Sequence, residues 1–182
     1  MKDFFKEQLV KKEKTDKDAK RRGFIVAVAV AIAVFLWEPI QYAAGQNEKL
    51  APAFITLAAI LLGLIIFFAV KKIKELNVEY EYCYTDGILD IDIIKNKAKR
   101  KQVFSGNVEE FEIMAPIDEK QRMSLYSSLP LQDFSSAVKK ENTYVFVATY
   151  KGKKKRYVIE PQEDILKAMR VDLAGRFITA NI

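Results

Sequence analysis

The sequence predicts an α+β membrane protein, in which a transmembrane hairpin of two helices precedes an antiparallel β domain closed by one C-terminal helix. Three patterns support this fold class. Two long apolar stretches lie within the first 70 residues, an alternation of period two begins after Lys74, and an amphipathic stretch follows Pro161. The 182 residues are enough for one domain of ordinary size and a small membrane unit.

Both apolar stretches are long enough to cross a bilayer, whose hydrocarbon core requires about 20 apolar residues in a helix. We place the first span at residues 23–42 and the second at 50–70, joined by an extracytosolic loop at 43–49. The second span has no charge and lacks the polar stripe that a soluble amphipathic helix would have. The first could instead be a signal peptide, but Trp37-Glu38-Pro39 follows its core where cleavage requires small residues.

Lysine and arginine flank the two stretches unevenly. The segments before the first span and after the second are basic, whereas the loop between them has only Lys49. Basic flanks stay in the cytosol, so we expect a multi-pass plasma-membrane protein with both termini cytosolic. The basic segment 1–22 has two compatible interpretations, a solvated leader or an interfacial amphipathic helix. The helical interpretation depends on one apolar face formed by Phe4, Phe5, Leu9 and Val10.

The cytosolic domain begins with a predicted β hairpin that turns at Asp86-Gly87. Folding at that turn pairs Tyr84 with Leu89, Tyr82 with Ile91 and Tyr80 with Ile93 on one face. The other face places Glu81 opposite Asp92, and we expect a base from a third strand to neutralise this like-charge pair.

The remaining elements complete a predicted domain at residues 74–176, followed by a tail at 177–182. Strands are expected at 110–115, 143–150 and 153–159, and residues 117–137 have no clear period but enough apolar side chains to pack on the domain. A helix is expected to begin at Pro161 and to stop at Gly175. Its apolar stripe consists of Ile165, Leu166, Met169 and Leu173.

This order of elements resembles the pleckstrin-homology (PH) fold. The strands YEYCYTDGILDIDII and KRKQV are similar to those of bacterial PH-like domains that follow paired membrane helices, and YVFVATYKGKKKRYVIEPQEDILKAM is similar to their closing hairpin and helix. The resemblance extends from residue 74 to about 176. It implies an antiparallel barrel or sandwich of PH-like type, in a bacterial family of small membrane proteins with two N-terminal helices.

The resemblance does not extend to a phosphoinositide site. PH domains that bind phosphoinositides place bases around the first hairpin, whereas the turn here, Tyr84-Thr85-Asp86-Gly87, is acidic.

The composition argues against most enzyme classes. The chain has no histidine and one cysteine, Cys83, so Ser-His-Asp and Cys-His catalysis and an internal disulfide are impossible. We therefore predict no enzyme activity, no catalytic residue, no cofactor and no metal site. Asp90 and Asp92 are the residues on which a carboxylate-dependent membrane enzyme would depend, although alternating acids on a strand usually form its solvated face.

Two basic clusters are the candidate contact residues of this chain, whose net charge is +6. Either they meet an anionic surface or they are solvated hairpin tips. They comprise Lys95, Lys97, Lys99, Arg100 and Lys101, and then Lys151, Lys153, Lys154, Lys155 and Arg156.

The expected function is a non-enzymatic, membrane-anchored binding or scaffold module. Its expected partners are the lipid bilayer and an unidentified protein, without nucleic acid. The alternative is an accessory subunit of a larger membrane complex, because small residues in both spans would allow close helix contact. The sequence carries no signal for the oligomeric state.

Overall fold

The computed structural model describes residues 4–46 and 49–178, and the chain divides into two compact units. One unit joins Met1–Glu13 to Val78–Ile182, and the other is Lys14–Asn77. The β domain is therefore discontinuous in sequence, because the helical unit is inserted after its first strand. The predicted boundary at residue 74 leaves that strand out of the domain.

The helical unit is a hairpin of two long helices, α1 (Asp16–Gln46) and α2 (Ala51–Lys74). At roughly 1.5 Å per residue they measure about 46 Å and about 36 Å, so each exceeds a hydrocarbon core of about 30 Å. The apolar part of each helix has no buried residues within the described structure, unlike the core helix of a soluble protein. The predicted spans lie within α1 and α2, apart from Leu50.

Local chemistry sets the helix ends that connect to the β domain. Thr15 and Asp18 form a capping box, in which the Asp18 N–H donates to Thr15 Oγ1 at 3.4 Å and the Thr15 N–H donates to Asp18 Oδ2 at 3.2 Å. α2 ends in three lysines, which complement the negative end of its dipole. At the other end of the hairpin, α1 continues through Pro39, and residues 47 and 48 of the predicted loop lie outside the described residues.

Within the described residues, the first sheet has four antiparallel strands in the order β1-β2-β3-β4. They are β1 (Phe5–Lys11), β2 (Val78–Thr85), β3 (Ile88–Lys95) and β4 (Lys99–Asn107).

The N-terminal segment departs from prediction. β1 pairs with β2 along its whole length, so the interfacial helix proposed for residues 1–22 is wrong for residues 5–11. The physical reason is that β2 offers this segment a ladder of backbone hydrogen bonds and a buried position for Val10, which is 7% exposed.

The β2–β3 hairpin has the predicted register. The three predicted pairs, Tyr84 with Leu89, Tyr82 with Ile91 and Tyr80 with Ile93, all form. Asp86 and Gly87 have φ values of 46° and 88°, the left-handed conformation that an Asp-Gly turn favours. On the other face, Glu81 lies opposite Asp92, and the expected base is Arg100 on β4. Arg100 pairs with both carboxylates, with its Nε 2.7 Å from Asp92 Oδ2.

Replacing Arg100 with glutamine is expected to lower the free energy of unfolding by about 1 kcal/mol, because two carboxylates then face each other without a counter-charge. Thermal unfolding of the detergent-solubilised protein measures the loss. Adding Asp92→Asn to this variant should recover most of it. An unchanged midpoint in the single variant would contradict the neutralising role of Arg100.

The second sheet has the order β5-β7-β8-β6 within the described residues. Its strands are β5 (Ile113–Pro116), β6 (Leu131–Asp133), β7 (Tyr144–Tyr150) and β8 (Lys153–Ile159). β7 and β8 form the predicted hairpin, whereas β6 runs parallel to β8 and arises from the segment that has no period. That segment also contains the short helix α3 (Lys120–Met123). Neither sheet closes on itself, so a sandwich fits and a closed barrel does not.

The C-terminal helix α4 (Glu163–Leu173) closes the domain. It buries Ile165, Met169 and Leu173 of the predicted stripe in the core. The core is rich in aromatic rings, and its fully buried members include Phe104, Phe111, Phe146 and Tyr157. α4 begins two residues after Pro161, with Gln162 as its N-cap. It ends before Ala174, which has a φ of 48°, one residue before the predicted stop at Gly175.

The predicted C-terminal tail begins inside the domain. The Ile178 N–H donates to the Met114 carbonyl at 2.8 Å, and Ile178 is buried. The remaining tail residues, 179–182, lie outside the described part of the chain.

Candidate functional site

The register of the first sheet gives it two chemically different ends. Lys11, Val78, Lys95 and Lys99 lie together at one end, where β1 leads into the inserted helices and β2 leaves them. We call this the connector end. Phe5, Thr85, Ile88 and Asn107 lie at the opposite end, which we call the far end.

The domain is ordered up to the two short connectors. Residues 12–15 join β1 to α1, and residues 75–77 join α2 to β2. The Lys12 N–H donates to the Val78 carbonyl at 3.0 Å, which extends the β1–β2 ladder by one step. The Glu13 N–H donates to the Ser136 carbonyl at 2.8 Å. This bond joins the first connector to the segment that follows β6 of the second sheet. The connector end is therefore a fixed part of the sandwich.

Lysines are concentrated at the connector end. They are Lys11 at the end of β1, Lys12 directly after it, and Lys95, Lys97, Lys99 and Lys101 around the β3–β4 turn. Lys95 lies directly opposite Lys99, an arrangement of like charges that destabilises a strand pair.

The β3–β4 turn also has an unusual backbone. Asn96 and Lys97 both have left-handed φ values, 51° and 54°. The other two hairpin turns, at Asp86-Gly87 and Lys151-Gly152, have glycine at the second left-handed position. A lysine there costs about 1–2 kcal/mol relative to glycine, so Lys97 is retained at an energetic cost.

The second predicted cluster is mostly engaged within the domain. Lys154 pairs with Glu112, and Lys155 Nζ lies 3.2 Å from Gln132 Oε1. The Arg156 guanidinium donates to the carbonyls of Ser127 and Leu129 at 3.0 Å, and so it supports the segment before β6. Lys151 lies over the ring of Tyr150 at 5.0 Å, and Lys153 is exposed at the start of β8. The structure thus places the two predicted clusters in different surroundings.

The side chains of the first predicted cluster, residues 95–101, also differ in their contacts. Arg100 is held by Glu81 and Asp92, whereas Lys95, Lys97 and Lys101 are exposed. Of the acids considered for catalysis, Asp92 pairs with Arg100, and Asp90 Oδ1 accepts from Gln102 Nε2 at 3.3 Å. Both acids lie on the outer face of the first sheet and contact β4.

Several carboxylates lie at the far end. Tyr84 donates a hydrogen bond to Asp172 on α4, and the carboxylates of Asp86 and Glu109 lie near the same hydroxyl. Burial, and then the hydrogen bond to Asp172, raise the pKa of the Tyr84 phenol above its ordinary value. Bases lie at this end as well, because Lys6 is opposite Tyr84 and Arg176 donates to the Glu109 carbonyl.

A buried polar cluster joins β1 to the second sheet, and no local sequence pattern predicts it. Glu160 is 3% exposed, and its Oε1 accepts from the Ser136 hydroxyl at 2.7 Å and the Ser136 N–H at 3.1 Å. Its Oε2 lies 3.3 Å from Lys140 Nζ.

The same cluster includes the backbone of Glu160. The Gln8 amide group donates to the Glu160 carbonyl and accepts from the Gln162 N–H, both at 2.7 Å. The Glu160 N–H donates to the Tyr82 hydroxyl at 3.3 Å, and burial raises the pKa of Tyr82. These contacts hold β1 in the domain.

Comparison with known proteins agrees with this architecture. A family described as a bacterial PH-like domain (DUF6106) matches residues 2–178, a range that includes β1, the inserted helices and both sheets. No curated protein and no solved structure matches the chain. The match covers nearly the whole chain, and the two packed sheets with a closing C-terminal helix are those of a PH-like domain. The protein therefore belongs to the bacterial PH-like domain family DUF6106.

Proposed function

We propose that this protein is a non-enzymatic binding module that two membrane-spanning helices anchor in the plasma membrane, with its PH-like domain in the cytosol. The observation that carries the proposal is the insertion of α1 and α2 between neighbouring strands of one sheet. A helix pair attached in this way has both outer ends tied to the same domain, so the ends of the pair lie on one side of the membrane.

The insertion also favours a retained first helix over a cleaved signal peptide. Cleavage after α1 would remove β1, and with it Gln8 and Val10, from the domain. The uneven distribution of lysine and arginine then supports a cytosolic position for the domain. No histidine is available for general base catalysis, and Arg100 neutralises Asp92, so binding fits the residues better than catalysis does.

Cysteine labelling in intact cells tests this topology. Cys83 is first replaced by serine, and single cysteines are then placed at Gln46, within the predicted outer loop, and at Lys151, on the domain. A membrane-impermeant maleimide should label Gln46→Cys in intact cells and Lys151→Cys only after lysis. The reverse pattern, or release of the protein from membranes by alkaline carbonate, would contradict the proposal.

An accessory subunit of a larger membrane complex is the second candidate. An apolar groove of about 500 Å³ lies between α1 and α2, and small side chains that permit close helix contact line part of it. These are Ala33, Ala44, Ala58 and Ala59. Purification in mild detergent separates the candidates, because a stoichiometric membrane protein favours the subunit and a soluble partner favours recruitment.

A further inference from the structure

We infer that a groove between α1 and α2 binds a transmembrane helix of another protein, through a lysine or arginine of that helix that pairs with Glu38. The lining residues of this groove fall within 33–44 of α1 and 55–65 of α2, and we call it the loop-side groove. The inference rests on the proposed function, since it requires both helices to span the membrane. It gives the chemistry of the partner that an accessory subunit would have.

The pairing of the two helices places Glu38 deep in the apolar part of the hairpin. A second groove is lined by residues within 24–36 of α1 and 61–72 of α2, so the helices run antiparallel. The two linings together place Glu38 level with about residue 59 of α2. The apolar stretch 50–70 begins about nine residues before that level, which is about 13 Å along the helix. Glu38 therefore lies inside the hydrocarbon core that α2 crosses.

The two spans contain no counter-charge for Glu38. Residues 23–46 of α1 and 50–70 of α2 have no lysine or arginine. Lys49 comes after the end of α1, which is about 12 Å along the helix axis from Glu38. A carboxylate in hydrocarbon is costly, and such residues face the interior of a helix bundle and pair with another polar group there. Since Glu38 lines the groove, a base on a third helix can reach it.

The polar groups around Glu38 favour a partner that donates hydrogen bonds. An ionised carboxylate only accepts them. Pro39 has no N–H, so the Phe35 carbonyl lacks its usual donor within α1. Gln41 follows on the same side of the helix and also lines the groove. Lysine and arginine carry several donors and no acceptor, and so they complement these groups. A second copy of this chain would instead bring another Glu38 and no base.

The shape of the groove admits a helix. Its α2 wall includes Ala58 and Ala59, small side chains that let the backbones of two membrane helices approach closely. A partner backbone inside the bilayer is helical, because a helix satisfies its own polar groups without water. The occupant is therefore a transmembrane helix whose basic side chain lies at the depth of Glu38.

Energy transfer in vesicles tests the inference on the full chain. The protein carries a donor fluorophore at Gln46→Cys in a Cys83→Ser background and is reconstituted into phosphatidylcholine vesicles. The probe is an acceptor-labelled Leu-Ala transmembrane peptide with one lysine at the depth of Glu38, and the reference peptide has leucine there. We expect the lysine peptide to associate roughly tenfold more tightly than the leucine peptide, an effect of the size that interhelical hydrogen bonds have in model peptides.

Two pairs of variants make the test specific. Glu38→Gln should reduce the preference for the lysine peptide to within about twofold, because it removes the charge and keeps the shape. Its matched control, Asp16→Asn, removes a carboxylate from the first turn of α1 and should leave the preference unchanged. Ala59→Phe fills the groove and should weaken association of the lysine peptide, whereas Ala53→Phe, outside the described lining, should not.

Photocrosslinking in cells tests the natural occupant. Benzoylphenylalanine replaces Leu62, which lines the groove. The adduct should map to an apolar span of another protein that carries a lysine or arginine, and Glu38→Gln should abolish it. An adduct between two copies of this chain, or an adduct to a span without a base, would overturn the inference.

The outcomes separate this inference from the proposed function. Equal energy transfer to the two peptides, with the protein floating with the vesicles, would overturn the basic helix partner and leave the anchored module intact. Equal loss of the preference in Glu38→Gln and Asp16→Asn would show an effect of net charge alone and would also overturn the inference. Failure of the wild-type protein to float with the vesicles would overturn both.

Discussion

Replacing the helix pair with a two-residue turn is expected to give a soluble, β-rich domain that melts cooperatively. The Lys12 N–H bonds the Val78 carbonyl, so these residues already flank the position that a hairpin turn would occupy. Joining Lys12 to Val78 through an Asn-Gly pair would continue the β1–β2 ladder with the turn that such hairpins favour. Circular dichroism and thermal unfolding in buffer without detergent measure the result.

A chain that begins at Leu76 is expected to fail where the joined domain succeeds. It lacks β1, and so it loses seven paired residues, the buried Val10 and both hydrogen bonds of Gln8. These losses sum to about 5 kcal/mol or more, which is comparable to the whole stability of a small domain. The exposed edge of β2 would also favour aggregation, which size-exclusion chromatography detects. Equal melting temperatures for the two proteins would show that β1 is dispensable.

Local pattern was sufficient for the β2–β3 and β7–β8 hairpins. In each, alternation continues on both sides of a turn dipeptide, so one register places every large apolar side chain on the same face, as with Tyr82 opposite Ile91. The stripe of α4 was predictable for the same reason, because a period of 3.6 residues identifies a buried helix face. The apolar spans followed from length and hydropathy alone.

Local sequence pattern could not predict that β1 pairs with β2 across the inserted helices. β1 and its partner β2 are separated by the whole helical unit, and Leu9 on β1 is 57% exposed, so an apolar face in this segment does not mark its buried side. The predicted helix used Phe4, Phe5, Leu9 and Val10 together, whereas the strand buries Val10 and leaves Phe5 and Leu9 outside.

The sequence predicts the two basic clusters but not which of their side chains are engaged, because that depends on contacts between distant strands. Composition identifies both basic clusters, but the strand registers show which of them lies at the connector end. The engagement of Arg156 by the carbonyls of Ser127 and Leu129 depends on β6, a three-residue strand with no periodic signature. Tertiary contacts therefore decide which bases are available to a ligand.

Glu160 provides the second large expected effect. Its side chain is 3% exposed and accepts two hydrogen bonds from Ser136, so replacing it with alanine leaves the buried Ser136 N–H without an acceptor. We expect Glu160→Ala to lower the free energy of unfolding by about 3 kcal/mol, the lower part of the range for breaking a buried pair, because Lys140 can turn to solvent. Chemical denaturation of the joined domain, or thermal unfolding of the full chain in detergent, measures the loss.

Two further variants separate the hydrogen bonds of Glu160 from its charge. Glu160→Gln keeps the size and one acceptor, so it should cost about 1–2 kcal/mol. Glu141→Ala removes an exposed carboxylate from the neighbouring turn, and its effect should stay within about 0.5 kcal/mol. A loss in Glu141→Ala as large as that in Glu160→Ala would mean that general electrostatics, and not burial, stabilises this region.

The position of Glu160 gives the same variant a second, local consequence. Its backbone accepts from the Gln8 amide and donates to Tyr82, so Glu160 lies where β1, β2 and the start of α4 meet. Disturbing this residue should loosen β1 before the rest of the sandwich. Hydrogen exchange of the full chain should therefore show faster exchange in residues 5–11 of Glu160→Ala than in β7 and β8. Uniform acceleration across both sheets would show that the cluster stabilises the domain as a whole and does not specifically hold the strand that precedes the membrane helices.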